Sequence, residues 1–486
     1  MLVILGVVGL YVAVVPSITP VTSLGIYNEK RALQIAIMGV AGCVLLLSRD
    51  SRREWLATFR TIPFMARLGL GVVLALGIIS AAQAPASGSA FLEVGHFVLL
   101  FVLAGIVAAV VGHSPRRTGA LILGTVVLSA LLYAVHFSVS YGVYLLLPEL
   151  EVGRQTLSGF GNVRFLNQYQ TWTLPLLGGT VLAIPSRHRI ARAVVFGLVV
   201  LWWTFIFASM VRGTLVADLI AFGIVGLLFG RRAVRFIGVQ GAGLVMGFGL
   251  YLLLFSWGDG GSTVFAEEID RSGSVFLRLN HWQICLEMVT AHPFLGAGPM
   301  HYAWPPINFM PPASPHSAFF QWLGEWGIPS TLIMGSLTVW GGWRWIQQER
   351  TAAIFADSRS NAVRVALVAS VLAGAAHAKV SGLIVTPVSQ VLLVLVGGWA
   401  WGRYRHAKSS SAVPTTSAHV ALCVLLVAAV AIVGGRSAYD LSVADERQSA
   451  FAEAGDHGRY SPRYWTQGYL QVRDSSVVER ARREME

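Results

Sequence analysis

The chain has 486 residues, 55% of them hydrophobic and only 12% charged, with a formal net charge of +12. Its apolar stretches repeatedly approach the roughly 20 residues that cross a bilayer as a helix, which excludes a soluble globular fold, and they are too continuous for the alternating strands of a barrel. The basic excess lies in short connections beside those stretches, so it reports membrane orientation and excludes nucleic acid as the partner.

In chain order the predicted spans are 1–18, 31–48, 67–84, 91–112, 119–147, 171–185, 193–210, 213–230, 236–256, 316–341, 364–382, 384–402 and 419–434. The apolar run that begins at Met1 has no basic residues ahead of it and reads as the first span, not as a cleaved signal. Cys43, Cys285 and Cys423 are scattered, so they indicate neither a disulfide framework nor a metal site. Arginines and a lysine mark alternate connections: Arg49 to Arg67, Arg116 and Arg117, Arg187 to Arg192, Arg231 to Arg235, Arg344 to Arg359, and Arg403 to Lys408. By the positive-inside rule these connections are cytoplasmic.

That parity sends 148–170 and 257–315 outward. The expected organisation is an all-α polytopic transmembrane bundle of about 12–13 spans over residues 1–435. A large periplasmic loop, 257–315, joins the ninth span to the tenth, and a polar tail, 436–486, lies on the same side behind a Ser/Thr/Pro linker at Ser409 to Thr416. No internal repeat is visible, which argues against a transporter built from symmetric halves.

Within the large loop, Val275, Leu279, Trp282, Cys285 or Leu286, and Val289 recur at helical spacing and predict an amphipathic helix, with Arg278 and His281 together on one flank. His292-Pro293 and Gly296-Ala297-Gly298-Pro299 end it in turns. The loop then runs into Ser314-Pro315-His316-Ser317. Ser314 suits an N-cap and Pro315 the first helical position, so His316 is expected in the first turn, where the helix dipole favours neutral imidazole and attracts anions. The alternative is a histidine that merely ends a membrane helix at the interface.

Arg212 occupies a tight outward turn, Ser209 to Thr214, where a fixed charge needs a task. Its planar fork suits bidentate contact with phosphate, so Arg212 and Arg278 could clamp a diphosphate, although Arg212 could equally snorkel to lipid headgroups. The 148–170 loop mixes Asn162, Arg164, Asn167 and Gln168 with aromatics, a set that suits sugar binding and equally suits an interfacial belt. Glu325 lies nine residues beyond His316, about half a turn round a helix, which points to an interhelical role. Asp218, Glu93, His96, His136 and His377 read as hydrogen-bonding groups between helices.

Arg278-Leu-Asn-His-Trp282, then His292-Pro-Phe-Leu-Gly-Ala-Gly-Pro299, then His316 leading to Glu325-Trp-Gly-Ile-Pro329, resembles the O-antigen ligase and polymerase superfamily, which includes protein O-oligosaccharyltransferases. Ser209 to Gly213 and Gly161-Asn162 with Asn167 resemble two further family turns, and the resemblance is strongest over 148–330. Ser317 stands where many relatives have Asn, and Arg164 interrupts the amide loop. The resemblance implies a GT-C-like inner-membrane glycosyltransferase that needs no metal or other cofactor. It would move a glycan from undecaprenyl diphosphate to an acceptor hydroxyl on the periplasmic side.

On that reading His316 is the general base and Arg212 and Arg278 bind the donor diphosphate, with His281 and Trp282 joining Asn162, Arg164, Asn167 and Gln168 as candidate sugar or acceptor contacts. Direct attack on the anomeric carbon would invert its configuration. Lipid A-core is the preferred acceptor, with another glycan repeat unit or a protein hydroxyl as alternatives. The rival from another class is a transporter of lipid-linked sugars.

Overall fold

The computed structural model describes residues 1–19, 21–147, 152–255, 273–305, 307, 312–407, 416–453 and 462–471. The predicted linker at 409–415 and much of the large loop, including 256–272, lie outside the described residues. Among the described residues the structure is built from helices, as the hydropathy requires: α1 (Leu2–Val14), α2 (Gly25–Leu47), α3 (Arg49–Arg60), α4 (Phe64–Gln83), α5 (Ser87–His113), α6 (Pro115–Leu146), α7 (Val163–Ala183) and α8 (Arg189–Ser209). There follow α9 (Arg212–Phe229), α10 (Val234–Phe255), α11 (Gly273–Ala291), α12 (Ala318–Ile354), α13 (Ser358–His377), α14 (Pro387–His406), α15 (Thr416–Ser442) and α16 (Ala444–Glu453).

Each predicted span coincides with one of these helices. Among the described residues, nine helices are long and apolar enough to cross a membrane. The remaining bundle helices are short, as α1 is, or carry polar groups that the bundle satisfies internally, as α7 does. The core is aromatic: Trp202, Trp203, Trp399, Tyr133, Tyr169 and Phe205 are fully enclosed.

Up-and-down connectivity sorts the connections onto two ends. At the arginine-rich end, buried Glu349 accepts from Arg403 at 2.7 and 2.8 Å and from Arg364, while Glu54 pairs with Arg405. The expected 49–67 connection contains α3, which begins at an N-cap where the Ser48 hydroxyl accepts from Ser51 N–H at 3.2 Å. Its Trp55 indole donates to the Val102 carbonyl at 2.9 Å, and arginines cover its outer face. This basic, twelve-residue amphipathic helix was hidden in the hydropathy profile because only one of its faces is apolar.

At the other end the loops are laced together. Ala86 N–H donates to His301, the Ser80 hydroxyl to the Leu295 carbonyl at 2.7 Å, and Ala318 N–H to the Ala378 carbonyl at 2.8 Å. Two expectations are corrected here. First, α7 begins at Val163, eight residues before the predicted span, because Asn167, Gln168, Gln170 and Thr171 each find a hydrogen-bond partner outside the helix. Second, the predicted span 316–341 is broken at Gly327 (φ 77°, ψ 173°) within α12. A left-handed glycine followed two residues later by Pro329 ends one helix and restarts another.

The break receives the turn that follows α11. Ala297 N–H donates to the Gly324 carbonyl at 2.9 Å, Gly298 N–H to the Glu325 carbonyl at 3.2 Å, and Ile328 N–H to the Pro293 carbonyl at 2.9 Å. A Cβ on Gly296 (φ +68°) would stand 2.4 Å from the Glu325 carbonyl carbon, and one on Gly327 would stand 2.5 Å from the Phe294 carbonyl oxygen. Both glycines are therefore obligatory, since backbone meets backbone where a side chain would begin.

Candidate functional site

α12 does not start where the serine and proline predicted. Ser317, not Ser314, is its N-cap (φ −149°, ψ 118°), with its hydroxyl facing Phe320 N–H at 3.5 Å. His316 is therefore not in the first helical turn. It precedes the cap, at φ +52°, a left-handed conformation that costs a branched-ring side chain energy and is kept only where neighbours impose it. The neighbours are identifiable. The Trp282 indole donates to the Pro315 carbonyl at 3.2 Å, and its ring stacks on Phe320 with centroids 4.8 Å apart. Ala318 N–H is held by the Ala378 carbonyl. Trp282, proposed as a sugar contact, thus also supports the turn that presents His316.

His316 is partly exposed, and its surroundings are cationic. Burial, then Arg164, His281 and Arg278 acting through space, hold its pKa down to about 3. This favours the neutral imidazole, through burial and nearby groups and not through a place in the first helical turn. Arg278 lies half-buried on α11, and burial lowers its pKa as well. Arg164 is exposed in the first turn of α7, and Arg212 is exposed as the first residue of α9. The starts of α7, α9 and α12 all lie at this end, so the partial positive charge of their free N–H groups adds to that of the arginines.

The predicted amphipathic helix exists as α11, with a different buried face. Ile284, Cys285 and Met288 pack with Ala297 and Tyr302, while Leu279 and Leu286 are exposed. Sequence spacing could not separate a face that meets protein from one that meets lipid, because both are apolar.

The amide loop divides. Asn162 is exposed, and its side-chain carbonyl caps α7 by accepting from Arg164 N–H at 2.9 Å. Asn167 is fully buried and donates to Gln170 at 3.0 Å and to the Ser209 hydroxyl at 2.9 Å. Gln168 donates to the Ser381 hydroxyl at 3.0 Å and accepts from the Thr386 hydroxyl at 2.5 Å. Both amides bond to neighbouring segments, although the buried Oδ1 of Asn167 has no partner among the described residues. His281 is likewise buried and shares a 2.5 Å hydrogen bond with the Tyr302 hydroxyl through Nδ1.

Three residues join the site that the sequence reading did not assign to it. His377, taken as a packing residue, bonds the Thr171 hydroxyl at 2.7 Å through Nδ1, while its Nε2 faces Gly213, 3.0 Å from where a Cβ would stand. It therefore backs the turn that carries Arg212, and Arg278 acts on it electrostatically as it does on His316. Arg154 donates to the Ser209 carbonyl at 2.7 Å, closing the end of α8 beside that turn. Lys379 lies over the Phe319 ring at 5.3 Å, next to the backbone contact that anchors α12. Nothing in spacing marks Arg154 or Lys379, because each is a lone cation in a short connection.

Residues 196–335 match the family model described as O-antigen ligase. Over those residues the chain is similar to the O-antigen ligases. It spans Arg212, Arg278, His281, Trp282 and His316, and it leaves the 152–170 segment, His377 and the tail outside. No curated protein matches the chain. An O-antigen ligase-type segment implies a glycosyltransferase-like enzyme with lipid-linked glycan substrates in a membrane. The cation-rich end around His316 is where the O-antigen ligase segment and the 152–170 loop meet.

Proposed function

We propose that the protein moves a glycan from undecaprenyl diphosphate to an acceptor hydroxyl at the periplasmic face of the inner membrane, with lipid A-core as the acceptor. The observation that supports this reading is that Arg164 and Arg278 act on His316, a histidine held at φ +52° just ahead of the N-cap of α12. A diphosphate leaving group is already weakly basic, so such a site needs cations to meet its developing charge and a base to take one proton. The acceptor oxygen attacks the anomeric carbon as the bond to the diphosphate oxygen breaks. The electron pair leaves with the lipid diphosphate, His316 takes the acceptor proton, and the configuration inverts.

In this reading Arg278 and Arg212 hold the diphosphate from two sides of the His377 turn, with Arg164 adding charge at the rim. The arginine-rich connections at the far end of the bundle support the assignment of that end to the cytoplasm. A polymerase or protein O-oligosaccharyltransferase shares the donor half of the site, so the acceptor decides between them. The purified protein is to be incubated with lipid-diphosphate glycan and, separately, with lipid A-core, a second lipid-linked repeat unit or a serine-rich acceptor protein, with products read by mass spectrometry. Glycan on lipid A-core alone is the expected product. Product with only one of the other acceptors reassigns the enzyme, and no product with any acceptor removes the transferase reading.

A further inference from the structure

The segment 462–471 returns from the C-terminal side and is built into the His316 end of the bundle. The Arg463 guanidinium, almost wholly buried, reaches Glu93 of α5 at 2.8 Å and Glu325 of α12 at 2.6 and 2.9 Å. Its carbonyl accepts from the Tyr27 hydroxyl at 2.7 Å, and the Tyr464 carbonyl accepts from Arg31 at 3.1 Å. Thr466 N–H and hydroxyl both donate to the Asn28 side-chain carbonyl, at 2.8 and 2.9 Å, and the Trp465 indole donates to Asp440 at 3.1 Å. Leu470 N–H closes the segment onto the Ala303 carbonyl at 3.1 Å. A segment held by so many directed bonds is a strap, and its one buried cation sits between two carboxylates.

Glu325 has a second duty: its Oε1 accepts Tyr302 N–H at 3.0 Å, in the short 3₁₀ turn His301–Ala303. Tyr302 is fully buried, and its hydroxyl bonds His281 at 2.5 Å. His281 adjoins Trp282, whose indole donates to the Pro315 carbonyl beside His316 at 3.2 Å, and it acts on His316 electrostatically. A continuous chain thus runs from the strap through Arg463, Glu325, Tyr302 and His281 to the edge of the site.

We propose that Arg463 is a positioning residue for transfer: by pairing with Glu325 it fixes the Tyr302 turn, and through the Tyr302 hydroxyl it sets His281 beside His316. The inference rests on the reading of His316 as the group that accepts the proton. If Arg463 only stabilised the fold, its loss would lower the amount of folded protein and leave the rate per folded molecule unchanged. As a positioning residue it governs the transfer step and leaves the donor's phosphate contacts alone.

The test is single-turnover transfer by full-length protein in proteoliposomes, with binding of the lipid-diphosphate glycan donor measured in parallel. Tyr302→Phe keeps the ion triad and the ring volume and removes only the hydroxyl. It is expected to slow transfer by about tenfold or more while donor Kd stays within about threefold. Arg463→Met should do the same, Arg463→Lys should recover part of the rate, and the double Tyr302→Phe/Arg463→Met should be scarcely slower than the slower single variant, since both changes break one chain.

A Tyr302→Phe rate within about twofold of wild type overturns the proposal, whether or not Arg463→Met folds, and so does a parallel loss of rate and donor binding. His316→Gln, run alongside, separates the two claims. A fast His316→Gln enzyme defeats the catalytic reading itself, whereas a dead His316→Gln enzyme beside a normal Tyr302→Phe enzyme defeats only the strap.

Discussion

The surroundings of His316 oppose the task proposed for it. A general base works best when its pKa lies near the operating pH, yet burial and three positive or ionisable neighbours, Arg164, His281 and Arg278, keep this imidazole at about 3. Under the proposed function, a donor diphosphate held by Arg278 and Arg212, with Arg164 at its rim, would cancel part of that potential and raise the pKa, strengthening the proposed base. The acid limb of kcat, which reports the donor complex, should therefore lie at higher pH than the acid limb of kcat/KM, which reports the free enzyme. A shared break near the ordinary histidine value of about 6.5 in both profiles contradicts this account. The same shift bears on stability. The native state binds fewer protons here than the unfolded chain, so the contribution of His316 to stability falls as pH drops from about 6.5 toward about 3.

Among the elements, the decisive join is the glycine turn seated in the break of α12. Gly296→Ala must place a Cβ 2.4 Å from the Glu325 carbonyl carbon at φ +68°, and it is expected to destabilise the protein by roughly 2–5 kcal/mol. Gly335→Ala, further along α12 with nothing near its Cβ, should instead be neutral or stabilise by about 0.5–1 kcal/mol. Thermal unfolding of both variants in the same detergent checks the contrast, and equal shifts would mean that the turn does not bear on α12. The turn at His292-Pro293 and Gly296 to Pro299 was legible in the sequence because its residues act locally, whereas the break at Gly327 was not. The hydropathy runs were legible for the same reason, and they located the spans. The start of α12 was not, because Ser314-Pro315 is a good local helix start that Trp282 and Ala378 override from elsewhere in the chain. Burial of Asn167 and Gln168 was not legible either, since an amide that binds a sugar and an amide that binds a neighbouring helix look alike in sequence.

At the scale of the whole molecule the charges divide by end. The arginines of one end pair with Glu54 and Glu349, while at the other end Arg164 and Arg278 act on His316 and Arg212 stands exposed at the start of α9. Under the proposed function, the positive charge at this end would serve an anionic donor. The part of the molecule least visible in the sequence, the strap at 462–471, lies 138 residues beyond the carboxylate it completes. The measurement that tests the central claim most directly is single-turnover transfer by His316→Ala and His316→Gln with donor binding followed in parallel. A positioned base contributes about 10²–10⁴-fold, so both variants should lose transfer by that order while still binding the lipid-diphosphate glycan. Near-normal transfer by His316→Ala would contradict the account.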